Sequence, residues 1–400
     1  MGFFSRTIPV STDPKKVDAL LSRGVAEAIV KEKLREKLLS GKRLRVKLGI
    51  DPTSPDLHLG RSIPLLKLRD FQELGHTVVF IVGDFTAVIG DTSDKDAERP
   101  MLSQGVIEKN EKSYRAQVGK LLDLSQAEFR YNSEWLAPLT YRQIGEHADL
   151  FSVSDFTARE VIARRLKEGK RVSLREVLYP LMQGYDSVAV KADVELGGLD
   201  QKFNLLAGRT MQEKYGQTPQ DILMNPLIDG LDGRKMSSSW GNTISLTATP
   251  SDMFGKVMSM SDAQVPAYFE LCTRTPMEEV PGILAGHPKD AKMRLAKEIV
   301  ALYHGTEAAQ KALEDWENTF SKGGIPNDIK TISVKKGTPY FEVLLQHDFV
   351  SSRSEFGRLE NRGAITNAKT GERIPGERAL FEKDITLRIG KHRFIKMVLE

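Results

Sequence analysis

Hydrophobic residues along this chain change period several times, and the changes divide it into segments. In residues 14–39 the apolar positions recur at helical spacing behind "STDP", which offers N-cap residues and a first-turn proline. One charged amphipathic helix closed by Gly41 is expected there. "RLRVKLGID" reads as a short strand, residues 59–74 return to the helical period, and "TVVFIVGDF" is a continuous apolar run ending in Gly and Asp, as a buried strand does. Strand, helix and strand in that order make a βαβ unit on a parallel sheet. Helical patterns continue to about residue 190, after which "ADVELGGLDQKFNLLAGRTMQEKYG" supplies a strand, a glycine turn and a helix. The alternation predicts an α/β fold: a doubly wound, Rossmann-like domain with a helical insertion over residues 1–245, its ligands beyond the carboxyl ends of the strands. Residues 246–325 are helical throughout and are expected to form a second domain. "SKGGIPND" has a linker's composition, and residues 332–400 read as a separate small α+β unit.

Composition narrows the class. With 40% hydrophobic and 28% charged residues and no apolar run near the roughly 18 residues of a membrane span, the expectation is a soluble globular protein with no membrane partner. A single cysteine, Cys272, excludes an internal disulfide framework and a cysteine-based zinc cluster, so the expected home is the cytoplasm. The N-terminal "MGFFSRTIPVSTDPKK" lacks the apolar core of a signal peptide. Net charge is +4, and residues 332–400, with 13 Lys+Arg against 9 Asp+Glu, hold the whole excess. A basic tail suits either solubility or an acidic partner.

Neither GxxxxGK[ST] nor GxGxxG occurs, so phosphate would have to be held differently. In "DPTSPDLHLGRSIPLL", His58 and Gly60 straddle a helix start, where free backbone N–H groups and the positive end of the dipole favour an anion. Arg61 then sets a cation in the first turn, disfavoured by roughly 0.3–1 kcal/mol unless an anion lies beside it. "DGRKMSSSWGN" follows Lys235 with Ser237, Ser238 and Ser239 in a Gly- and Asn-containing loop, either a mobile polyphosphate clamp or a polar surface loop. Tyr179, Gln183 and Asp186 fall at i, i+4 and i+7, one helical stripe that could line an amino-acid pocket or face solvent. "GGLDQ" puts Asp200 and Gln201 just after a strand, at the ligand-binding edge of such a sheet. In the tail, Ser352 and Glu355 have capping-box spacing for a helix bearing Arg353, Arg358 and Arg362, ended by Gly363.

"HLGR" together with "KMSSS" on a βα scaffold resembles the paired signatures of the class I aminoacyl-tRNA synthetases. With "GIDPTSPDLHLG", "YPLMQGYD", "GGLDQ" and "SSRSEFGRLENRGAIT" in order, the whole chain resembles the bacterial tyrosyl-tRNA synthetases. The resemblance implies a tyrosine–tRNA ligase that forms tyrosyl-adenylate from tyrosine and ATP, with Mg2+ arriving on ATP, no prosthetic group and no protein metal site. It implies a homodimer, tRNA(Tyr) as partner and an S4 RNA-binding fold in the tail, with Arg353, Arg358 and Arg362 meeting RNA. By the same resemblance His58, Lys235 and Arg61 act at the phosphates, and Gly60, Asp200, Ser237 and Ser238 complete the ATP site. Asp91, Tyr179, Gln183, Asp186 and Gln201 hold tyrosine, Asp186 accepting the phenolic hydrogen. Four positions depart from the usual pattern: Lys47 stands where many members have a second tyrosine, Glu195 for a glutamine, Ser238 for the second clamp lysine, and Arg61 for the second histidine. Alternatives are a tryptophanyl-tRNA synthetase and an RNA-binding paralogue without catalysis.

Overall fold

The computed structural model describes residues 8–91, 101–321, 329–347, 349–374, 376, 379–390 and 393–400. They fall into two compact units, Met1–Ala248 with Ser259–Tyr303, and Thr249–Met258 with His304–Glu400. The first is built on six strands: β1 (Glu27–Ile29), β2 (Arg45–Ile50), β3 (Thr77–Val82), β4 (Ala127–Tyr131), β5 (Val194–Gly198) and β6 (Asp221–Asn225). Their order is β1-β6-β5-β2-β3-β4. β2 to β6 run parallel and β1 closes one edge antiparallel to β6. β3 and β6 are buried almost throughout, as parallel strands covered on both faces must be, which explains their unbroken apolar sequences. The chain winds from β2 outward to β3 and β4 and returns on the other side at β5, so the switch point lies between β2 and β5. At that point the strands' carboxyl ends leave a crevice.

Three differences from the sequence reading have local causes. Residues 14–39 form two helices, Pro14–Leu20 and Lys31–Leu39, separated by β1. Gly24 at φ +59° breaks the first, and Ala26 N–H donating to Met224 O starts the pairing with β6. β4 lies within the supposed helical insertion: "AEFRY" is half-buried at every position and its pairing with β3 fixes it, a cue that a short window lacks. β6, "DILMN", is too short to separate from a helical turn by periodicity.

Helices predominate over residues 249–321, but 259–303 belong to the first unit. The guanidinium of Arg23 donates to the carbonyls of Phe269, Glu270, Thr273 and Thr275 at the end of helix Val265–Cys272, and Tyr303 Oη donates to Ser62 Oγ at 2.7 Å. In the second unit, β7 (Lys330–Val334), β8 (Ile365–Asn367), β9 (Ile385–Ile389) and β10 (Arg393–Leu399) form a sheet ordered β7-β10-β9-β8. Helices Tyr340–Gln346 and Arg353–Asn361 pack on it through Phe341, Leu344 and Phe356, giving the expected α+β tail. Residues 322–328, most of the expected linker, lie outside the described residues. No helix among the described residues is long and apolar enough to cross a membrane.

Candidate active site

At the switch point is a cavity of about 830 Å³, and all twelve residues singled out for the adenylate chemistry line it: His58, Gly60, Arg61, Asp91, Tyr179, Gln183, Asp186, Asp200, Gln201, Lys235, Ser237 and Ser238. Its two ends differ in chemistry. The buried end is acidic. The Leu174–Val190 helix, opened by a Ser173/Glu176 capping box, sends Tyr179, Gln183 and Asp186 into the cavity from one stripe. Tyr179 Oη donates to Asp51 Oδ2 at 2.9 Å, and Thr86 Oγ1 donates to Asp51 Oδ1 at 2.7 Å. Asp186 receives Trp135 Nε1 at 2.8 Å and Asn132 Nδ2 at 3.4 Å, while Gln201 Nε2 donates to Asp91 at 2.8 Å. Burial raises Asp51 to about 6 and Asp186 to about 7, and it raises the Tyr179 phenol well above its usual range.

Asp51, Thr86, Asn132 and Trp135 escaped the sequence reading. Asp51 follows β2 directly, a position at the ligand edge, and Gly83 at the end of β3 gave a second cue. A Cβ on Gly83 would lie 2.0 Å from Asp51 Oδ1, so glycine there makes room for that carboxylate.

Cations and hydroxyls from two loops occupy the more exposed end. Lys235 Nζ pairs with Asp200 Oδ2 at 2.8 Å, joining two residues that the sequence places far apart in the expected ATP site. The clamp loop is folded on Asn242: Ser237 N–H donates to its Oδ1 at 2.9 Å, and its Nδ2 donates to Asp232 at 2.7 Å and to Lys235 O at 3.1 Å. Ser237 and Ser239 share a hydrogen bond at 2.9 Å, and Ser238 is exposed at the cavity.

The start of helix Leu59–Glu73 corrects one expectation. Its first N–H groups are already engaged, Leu59 with Ile244 O at 3.0 Å, Gly60 with Met236 Sδ at 3.2 Å, and Arg61 and Ser62 with His58 O. An antiparallel bridge between His58 and Ser245 brings the chain after the clamp alongside the helix start, so this end offers an anion its field and not its amides. Gly60 is glycine for the sake of His58: a Cβ would sit 3.1 Å from the imidazole Nδ1. His58 is buried, its Nδ1 has no hydrogen-bond partner among the described residues, and burial beside Arg61 and Lys235 lowers it to about 3. At neutral pH the imidazole is therefore uncharged.

Arg61 departs from expectation too. Its Nη1 donates to Asp51 O at 3.1 Å and Tyr114 Oη at 3.2 Å, and its Nη2 to Thr53 Oγ1 at 2.9 Å. Two prolines deprive the 51–57 turn of backbone donors, and side chains hold its carbonyls instead. Asn110 donates to Pro52 O, Tyr114 to Ser54 O, and Ser113 and Gln117 to Pro55 O. The guanidinium fastens the same turn through Asp51 and Thr53, so much of its donor capacity is used within the protein.

In the second unit Arg353, Arg358 and Arg362 are exposed on or at the end of helix Arg353–Asn361, which Ser352 caps by accepting Glu355 N–H at 3.2 Å. Arg353 lies over the Phe341 ring at 5.2 Å.

Comparison with known proteins adds a family to this geometry. Residues 39–321 match the family described as tRNA synthetases class I (W and Y). The chain is 44% identical to a tyrosine–tRNA ligase of Moorella thermoacetica, covering 94% of both chains. It is 44% identical to one of Aromatoleum aromaticum, covering 97% of this chain and all of that one. Among solved structures, tyrosyl-tRNA synthetase from Archaeoglobus fulgidus, complexed with L-tyrosine, matches 75% of this chain and 100% of its own with TM-score 0.61 at 24% identity. The C-terminally truncated mitochondrial enzyme of Aspergillus nidulans matches 76% and 94% with TM-score 0.65 at 21% identity. At such identities these two structures show a shared fold.

Proposed function

The chain belongs to the class I tRNA synthetases of the W and Y group and, within them, to the tyrosine–tRNA ligases, and from that premise we propose how its cavity performs the reaction. The observation that carries the reading is the polarity of the cavity. Carboxylates and a phenol line its buried end, while Lys235, neutral His58 and serine hydroxyls line its exposed end, which suits an amino acid's ammonium and phenol at one end and a triphosphate at the other. Tyrosine enters with its phenolic O–H donating to Asp186 and its ammonium beside Asp91, Tyr179 and Gln183. ATP lies with its ribose at Asp200 and its phosphates between His58 and Lys235. The tyrosine carboxylate attacks the α-phosphorus, the bond to the bridging oxygen breaks, and pyrophosphate departs with the electron pair. Tyrosine's carboxylate is already ionised, so no general base is needed and catalysis is positioning plus charge stabilisation. Lys235 exchanges Asp200 for phosphate oxygens, and His58 donates a hydrogen bond without adding charge. Magnesium enters on ATP as part of the substrate. A terminal hydroxyl of tRNA then attacks the activated carbonyl and releases AMP.

On this reading tRNA meets Arg353, Arg358 and Arg362, the protein works as a homodimer, and its compartment is the cytoplasm. ATP–pyrophosphate exchange measured across the amino acids tests the activation step. Exchange with tyrosine is expected, and exchange with tryptophan instead, or with none, would overturn the reading. Replacing the three arginines by serine is expected to leave exchange unchanged, to depress aminoacylation and to flatten its salt dependence.

A further inference from the structure

Behind the wall of the cavity, facing neither solvent nor ligand, is a charge pair that the reaction does not require. Lys47 on β2 and Glu195 on β5 are register partners across the switch point, their side chains 1% and 2% exposed, with Nζ 3.1 Å from Oε1. Both reach Gln183. Lys47 Nζ donates to its backbone carbonyl at 3.1 Å, and the Gln183 side-chain amide donates to Glu195 Oε1 at 3.2 Å. Glu195 Oε2 accepts Ser187 Oγ at 3.2 Å and the Gln220 amide, so the pair is hydrogen-bonded at several points. A buried ion pair adds little net stability over a well-packed apolar pair, and neutral groups could hold an amide. What only charges supply is a field, and Asp186 lies one helical turn beyond Gln183 on the same stripe.

We propose that Lys47 and Glu195 are positioning residues for amino-acid selection: they fix Gln183 from both ends and, by opposed fields, set the pH range over which Asp186 is an ionised acceptor for the substrate phenol. This rests on the reading that tyrosine occupies the cavity. The titratable groups around Asp186 are Lys47 on β2, Glu195 on β5, Tyr179 on its own helix, and Asp51 and Asp91 beyond Tyr179. Trp135 and Asn132 contribute neutral donors. Of the charged groups, Lys47 favours the ionised form most and Glu195 opposes it.

The test is the KM for tyrosine in ATP–pyrophosphate exchange between pH 6 and 9.5 for the full chain, Lys47→Met, Glu195→Gln and the double variant. In the parent protein KM rises as pH falls through about 7, because protonating Asp186 removes the acceptor. Removing the Lys47 cation moves that rise to higher pH. Lys47→Met then has a KM raised about fivefold at pH 7, recovering towards pH 9.5, for a shift of about one pH unit, with kcat changed less than twofold. Glu195→Gln moves the rise to lower pH, and Lys47→Arg restores the parent profile. If a single variant fails to fold, the double variant decides, since the stronger Lys47 effect leaves its rise displaced to higher pH. A loss equal at every pH, or shifts of the same sign in the two single variants, overturns the proposal. Absence of tyrosine exchange in the parent overturns the functional reading instead.

Discussion

The two ends of the cavity are built on different principles. At the amino-acid end the polar side chains are buried or half-buried and already hydrogen-bonded: Asp51 to Tyr179 and Thr86, Asp186 to Trp135 and Asn132, and Gln183 to the Lys47–Glu195 pair. At the phosphate end Lys235 is partly exposed, Ser238 and Ser239 face solvent, and the loop's shape depends mainly on Asn242. Selecting an amino acid needs groups fixed before it arrives, because an analogue is rejected only if it leaves a buried partner unpaired. Stabilising a departing pyrophosphate needs charge that can follow it, which a mobile lysine supplies and a packed wall cannot.

The largest effect is expected where charge develops. Lys235→Ala should slow single-turnover adenylate formation by about 10²–10³-fold while leaving tyrosine affinity within about twofold. Equal losses in both would erase the distinction between the ends. Next, Asp186→Asn should weaken tyrosine relative to phenylalanine by about 1.5–3 kcal/mol, the worth of a hydrogen bond to a charged group, seen in their kcat/KM ratio.

The same variant separates stability from function. Asp186 is raised to about 7 from an ordinary value near 3.8, so its ionised form is disfavoured by folding. That penalty is absent below pH 4 and complete above pH 7. Asp186→Asn is therefore expected to gain on the order of 2 kcal/mol in urea unfolding at pH 8, and the gain should disappear as pH falls towards 4. A gain independent of pH would mean that charge burial is not its source.

The smallest effect is expected between the two ends. Arg61→Ala removes three hydrogen bonds, two to the 51–57 turn and one to Tyr114, and should raise the KM for ATP about three- to tenfold and lower stability by about 1–2 kcal/mol. Arg61→Lys should recover little, since one ammonium cannot reproduce the fork that spans Asp51, Thr53 and Tyr114. Full rescue by Arg61→His, with stability unchanged throughout, would return Arg61 to direct contact with ATP.

Much of the site could be read in the sequence because its information is local. The i, i+4, i+7 spacing places Tyr179, Gln183 and Asp186 on one stripe of a helix wherever that helix packs, and a glycine turn after a strand puts Asp200 and Gln201 at a ligand edge. The βαβ period similarly fixed β2, helix Leu59–Glu73 and β3. Tertiary structure decided what depends on partners distant in the chain. β1 and β4 exist through their pairing with β6 and β3. The helix start loses its amides to Ile244 and Met236, some 180 residues further on, and Arg61 finds its partners in a turn and a tyrosine that no spacing rule connects to it. Lys47 and Glu195 look like isolated oddities in sequence, and only the register of β2 against β5 makes them a pair. Periodicity specifies which face a residue occupies, because the backbone repeat is intrinsic to the chain. What meets that face is set by the packing of the whole fold, and with it the charge, proton affinity and role of each polar group.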